Sequence, residues 1–167
     1  QVRRLLEMAS EHPVTTADRL SQAQFALQTM SHFAANSEDY GYYDVSRYKQ
    51  TLIAALFQPR LGKHAAPVLG QIATPDAIQA LVNFASQDTE ELESRQAAVE
   101  ALDQAIRKRG LLLNKAEVQQ IYDLYNASLD VKEDAVLELL GDMLDAIEGP
   151  FRRKQQAASR DDTGDGK

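Results

Sequence analysis

Asp134, Glu138, Asp142 and Asp145 recur at steps of four, four and three, a spacing that gathers carboxylates on one side of a helix. Such a row can hold a cation or receive a basic partner, although on a helix it more often forms a solvated face, which is the favoured reading. Arg95 is a different case. It falls in the series Leu92, Arg95, Val99, Leu102, Ile106, so a guanidinium sits on an otherwise apolar stripe and needs partners if buried. It serves either architecture or anion binding. His12, His32 and His64 are far apart in the chain, and none stands three or four residues from another. They predict no metal centre, which needs ligands that converge. No serine occupies a Gly-x-Ser-x-Gly turn and no glycine-rich loop is spaced to cradle phosphate. The residues predict no catalytic set and no cofactor.

Two other clusters stand out. Tyr40, Tyr42, Tyr43 and Tyr48 crowd into "DYGYYDVSRY". Tyrosines bury large area at little entropic cost and keep a polar tip, so this loop is a candidate partner surface, or else it packs on a neighbouring helix. Arg107, Lys108 and Arg109 form a basic cluster that a helix C-terminus explains without nucleic acid.

The chain has 167 residues, 44% hydrophobic and 26% charged, with a formal net charge of −7. That is an ordinary globular composition, long enough to bury a sizeable core. The negative charge disfavours phosphate backbones and anionic lipid, so neither nucleic acid nor membrane is expected as a partner. The absence of cysteine removes disulfides, thiolate nucleophiles and Cys-zinc sites while leaving the redox compartment open. The cytoplasm is only weakly favoured. No apolar run approaches the ~20 residues of a membrane span. The first residue is Gln1 rather than Met, as expected of a piece of a longer protein.

The elements that would position these residues are helical throughout. Val2 to Ala9 reads as the end of a helix broken at His12-Pro13. Leu20, Ala23, Leu27, Met30 and Ala34 mark one buried face between Thr16 and Ala35. A loop follows from Asn36 to Asp44, then a helix with Val45, Tyr48, Leu52, Ala55 and Leu56 inward, ending at Gln58-Pro59. Ala65, Val68, Leu69 and Ile72 define a short helix. Thr74-Pro75 supplies an N-cap hydroxyl and a first-position proline for the next, with Ile78, Leu81, Val82 and Ala85 inward. Three pairs with capping-box spacing, Asp88 and Glu91, Asn114 and Glu117, Asp130 and Glu133, predict the starts of three further helices. Gly110 ends the first of these. Gly149-Pro150 is expected to close the last, leaving one helical domain over 1–149 and a flexible tail over 150–167.

About eight helices with short links and no sheet result. Leu69, Leu102 and Leu140 occupy similar contexts, "APVLG", "AVEALD" and "VLELLG", at intervals of 33 and 38 residues. Such periods point to stacked helical hairpins rather than a closed bundle. The pattern "AAPVLGQIATPDAIQAL" from Ala65 to Leu81, then Asp88, then "RQAAVEAL" from Arg95 to Leu102, resembles a HEAT repeat, in particular the short type of the phycobilin lyase subunits. The match is good over about 62–110, fair over 114–148 and weak before Pro59. It departs from the family at Ser94, where an apolar residue is usual, and in the longer loop "DTEELES".

The resemblance implies an all-α, right-handed α-solenoid of about four stacked hairpins. It also implies that Arg95 is a structural ladder residue paired with Asp88. In such solenoids the second helix of each pair lines the concave side. This would turn the polar row Glu93, Gln96, Glu100 and Gln104 toward a partner, with Glu90, Glu91 and Asp103 adding negative potential. The expected function is a non-catalytic protein-interaction or scaffold module with a basic or mixed-charge protein or peptide as partner. The alternatives are a phycobilin-lyase-like enzyme subunit and a DNA-binding repair protein of the HEAT-like type. The second ranks last because such proteins use a basic groove with aromatic residues including tryptophan, and this acidic chain has none.

Overall fold

The computed structural model describes residues 17–36, 44–131 and 133–161, with the backbone alone at 130, 131 and 151–161. Seven α-helices account for most of them, with no strand among the described residues: α1 (Ala17–Ala35), α2 (Lys49–Leu56), α3 (Gly62–Ile72), α4 (Pro75–Ala85), α5 (Leu92–Arg109), α6 (Lys115–Val131) and α7 (Asp134–Asp161). A 3-10 turn, Val45–Tyr48, leads into α2. The protein is all-α. The expected helix over Val2 to Ala9 and the tyrosines Tyr40, Tyr42 and Tyr43 lie outside the described residues.

Each apolar stripe is buried against its neighbours. Ala23, Leu27, Met30 and Ala34 of α1 are covered, as are Ala65, Val68, Leu69 and Ile72 of α3 and Ile78, Leu81, Val82 and Ala85 of α4. α1 packs on α3, α3 on α5 and α5 on α7, while α2, α4 and α6 each pack on the helix that follows. Leu69, Leu102 and Leu140 therefore belong to helices joined by successive contacts, and all three are buried. A leucine taken from water to full burial contributes roughly 1.5–3 kcal/mol. α3 and α5 approach closely where Gly70 rests on the backbone of Ala101. Polar bridges join α3 to α5, Lys63 with Glu93 and Gln71 with Gln104, and reach from α4 to α6, Gln79 with Glu117, and from α2 to α4, Lys49 with Asp76.

The helix ends show where local signals prevailed. Thr74 accepts from the Ala77 amide and Pro75 opens α4. Asn114 accepts from the amides of Ala116 and Glu117, and Glu117 reaches back to the Asn114 amide at 2.7 Å, completing a capping box. The other two boxes do not form. α5 begins at Leu92 with Glu91 as N-cap and no capping side chain, because Asp88 is turned instead toward Arg95. Leu92, expected inward, is 37% exposed at the helix start. Asp130 is still inside α6, and α7 starts after Glu133, whose carbonyl accepts from Val136 and Leu137.

Gly149-Pro150 does not close the last helix. α7 continues through Pro150 to Asp161, although an interior proline removes one hydrogen bond of the ladder and crowds the preceding turn. α3 likewise contains Pro67. α3 ends at Ala73, held in the left-handed region at φ 50, a position where glycine would be the usual residue.

Candidate functional site

The long helix α5 has packed neighbours on several sides. Ser94, Arg95, Ala98, Val99, Ala101, Leu102, Ala105 and Ile106 are buried. Glu93, Gln96, Glu100 and Gln104 are all exposed. They do not act as one uniform row. Glu93 leans to α3, where Lys63 Nζ lies 3.1 Å from its carboxylate. Gln104 also turns to α3, accepting from Gln71 at 3.4 Å. Lys108 donates to the Gln71 carbonyl at 2.9 Å and strengthens the same seam.

Gln96 and Glu100 instead border a groove of about 490 Å³ between α5 and α7. Val99, Leu139 and Ala146 supply its apolar surface, and Asp103, Asp142 and Asp145 join Glu100 along it. Two of these acids come from the α7 row read from sequence as a solvated face. The structure brings Asp142 and Asp145 of that row together with Gln96 and Glu100 of the α5 row across one groove. Asp134 and Glu138, the other members, are exposed and do not line it.

Four carboxylates face one cation there. Arg107 Nε lies 2.7 Å from Asp103 Oδ2, one helical turn away. The hydrogen bond to Asp103, then its charge, raises the pKa of the Arg107 guanidinium. The pair is surface-exposed and adds little to stability. With Glu100, Asp142 and Asp145 the lining holds more carboxylates than cations beside an apolar floor. Such a surface can take ammonium or guanidinium groups together with short aliphatic side chains.

Arg95 is not at this groove. It is 4% exposed and lies behind α5, where its Nε donates to the Ala85 carbonyl at the end of α4 over 2.8 Å. Its Nη2 approaches Asp88 Oδ1 at 3.8 Å, and the Asp88 side chain is 93% exposed. The two residues are neighbours, but the short contact is to the backbone. Sequence spacing could not identify Ala85 as a partner, because any carbonyl at a helix end can accept.

His12 lies outside the described residues, and His32 and His64 do not line the groove. His64 on α3 is half-buried, and burial, followed by the charge of Lys63, pushes its imidazole below the ordinary histidine value while Glu93 opposes the shift. Among the described residues no group of three or more His, Cys, Asp or Glu side chains is placed to hold a metal ion. No helix there is long and apolar enough to cross a membrane. At the entrance to the 3-10 turn, the Ser46 hydroxyl and amide, with Arg47, lower the pKa of the Asp44 carboxyl against an opposing desolvation effect. Among the tyrosines of that region, Tyr48 packs partly buried on the core.

No protein-family model matches the chain, and no similar curated protein or solved structure was found.

Proposed function

We propose that this chain is a protein-interaction module built as a right-handed, HEAT-like α-solenoid, whose groove between α5 and α7 receives a basic segment of a partner protein. The fold-level part of this reading is supported by contacts between successive and next-but-one helices, the pattern expected of stacked repeats. The polar bridges agree, since they span between 26 residues, for Tyr122 and Glu148, and 38 residues, for Gln79 and Glu117. The observation that carries the functional part is the convergence of Glu100, Asp103, Asp142 and Asp145 from two helices onto one partly apolar groove. A DNA backbone would be repelled by that lining. Scaffold action needs only binding, with no covalent step.

A peptide of alternating lysine and leucine provides the test. Amide shifts in a titration followed by NMR should concentrate on α5 between Gln96 and Arg107 and on α7 between Leu139 and Ala146. The joint reversal Glu100→Lys and Asp142→Lys should remove them without unfolding the chain, because exposed charges contribute little to stability. Shifts scattered over the whole surface, or unchanged in the double variant, would refute the groove as the docking face.

A further inference from the structure

A second cleft, of about 400 Å³, opens where the link between α4 and α5 meets the α6–α7 hairpin. Leu124 and Ala127 of α6 with Val136 and Leu140 of α7 make its apolar wall, and Arg95 lines it from α5. Arg95 spends one donor on the Ala85 carbonyl. A guanidinium presents five N–H donors in a rigid fork. Among the described residues, its two terminal nitrogens make no hydrogen bond, and the Asp88 carboxylate stands beyond that range at 3.8 Å. Because no buried side-chain nitrogen among the described residues lacks a partner, these two nitrogens are the part of Arg95 that stays accessible, on the cleft side. No hydrogen bond joins them to the hydroxyls of Ser86 and Ser128, which donate to the Val82 and Tyr125 carbonyls.

We propose that this cleft binds a carboxylate bearing a short apolar chain, with the carboxylate on the terminal nitrogens of Arg95 and the chain along Leu124, Val136 and Leu140. The volume falls in the range of small-ligand sites, which are mostly apolar with a few polar groups that set orientation. A planar carboxylate matches the fork of a guanidinium. Asp88 marks where it would go: this carboxylate already points at the fork, yet it is almost wholly in solvent and easily displaced. Glu133, exposed at the rim, disfavours a dianion such as phosphate more than a monoanion. The site is separate from the acidic groove, and its ligand has the opposite charge to the partner proposed there.

Hexanoate is the probe, titrated by NMR and calorimetry against hexan-1-ol and inorganic phosphate. Hexanoate should saturate one site and shift the amides around Leu124 and Ala127, with both controls at least about tenfold weaker, as expected for loss of a paired charge or of the apolar contact. Asp88→Asn should tighten hexanoate binding by removing the competing carboxylate. Ala127→Phe, at an exposed position, should block the cleft and abolish binding while melting like the wild type. Arg95→Lys should weaken binding by losing the fork. Binding of hexan-1-ol as tight as hexanoate, equal binding of phosphate, absence of saturation, or Asp88→Asn and Ala127→Phe that leave hexanoate affinity unchanged would each overturn the proposal.

Discussion

Gly70 of α3 lies so close to Ala101 of α5 that a Cβ at position 70 would stand 2.7 Å from the Ala101 carbonyl oxygen and 3.0 Å from its Cα. The obstructing atoms are backbone, so no rotamer change relieves the clash. The two helices must separate for any larger residue to fit. Gly70→Ala should therefore destabilise the chain by about 1–3 kcal/mol, the usual cost of overpacking, despite alanine's better helix propensity. A denaturant midpoint equal to or above that of the wild type would show that the α3–α5 seam is looser than described.

Arg95 and Asp88 should behave unequally. Arg95→Met keeps most of the aliphatic bulk but leaves the Ala85 carbonyl without its 2.8 Å donor, a loss of about 1–3 kcal/mol. Asp88→Asn removes one end of a 3.8 Å contact whose carboxylate is 93% exposed, and should cost no more than about 1 kcal/mol. Equal losses in chemical denaturation would mean that the ion pair, rather than the backbone contact, anchors the arginine.

The three capping-box spacings show what was legible in the sequence. Asn114 and Glu117 form their box because the helix begins immediately after Asn114, and Glu117 can accept from the Asn114 amide on one carboxylate oxygen while the other accepts from Gln79. Asp88 stands near an inward arginine, and the chain turns further before Leu92 starts the helix. Asp130 belongs to the preceding helix, so its spacing to Glu133 is coincidental. Most of the apolar stripes were legible because burial follows the 3.6-residue period, with exceptions such as Leu92, exposed at a helix start, and Leu20, only partly buried. Continuation past Gly149-Pro150 was not, because a proline penalty of about 3 kcal/mol can be outweighed by packing elsewhere along a helix. The groove was half legible. Exposure of Glu100 and Asp142 follows from spacing, but which helix faces which depends on tertiary packing that no local pattern encodes.

Asn114→Ala should destabilise by about 1 kcal/mol through loss of the N-cap, whereas Glu91→Ala, at a helix start with no side-chain cap, should change stability by a few tenths at most. Comparing the two melting curves checks this directly. A larger loss for Glu91→Ala would place the functional cap of α5 at that residue.

His64 should make stability fall with acid. Its folded-state pKa is depressed by burial and by Lys63, so the unfolded chain binds the proton more readily. The contribution of the neutral imidazole is fully present above the ordinary value of 6.5. It declines as pH drops through the folded-state value. His64→Gln should flatten the melting temperature over that window, and a wild-type profile that rises as pH falls below 6.5 would have the wrong sign.

The groove between α5 and α7 is the central claim, and the salt dependence of association tests it most directly. Stopped-flow mixing with a fluorescent peptide of alternating lysine and leucine gives the association rate. The wild type should slow several-fold or more between about 0.05 M and 0.5 M salt, as steering by Glu100, Asp142 and Asp145 is screened. The double variant Glu100→Lys and Asp142→Lys should start slow and change little. Equal rates for both proteins, with the same dependence on salt, would contradict the account.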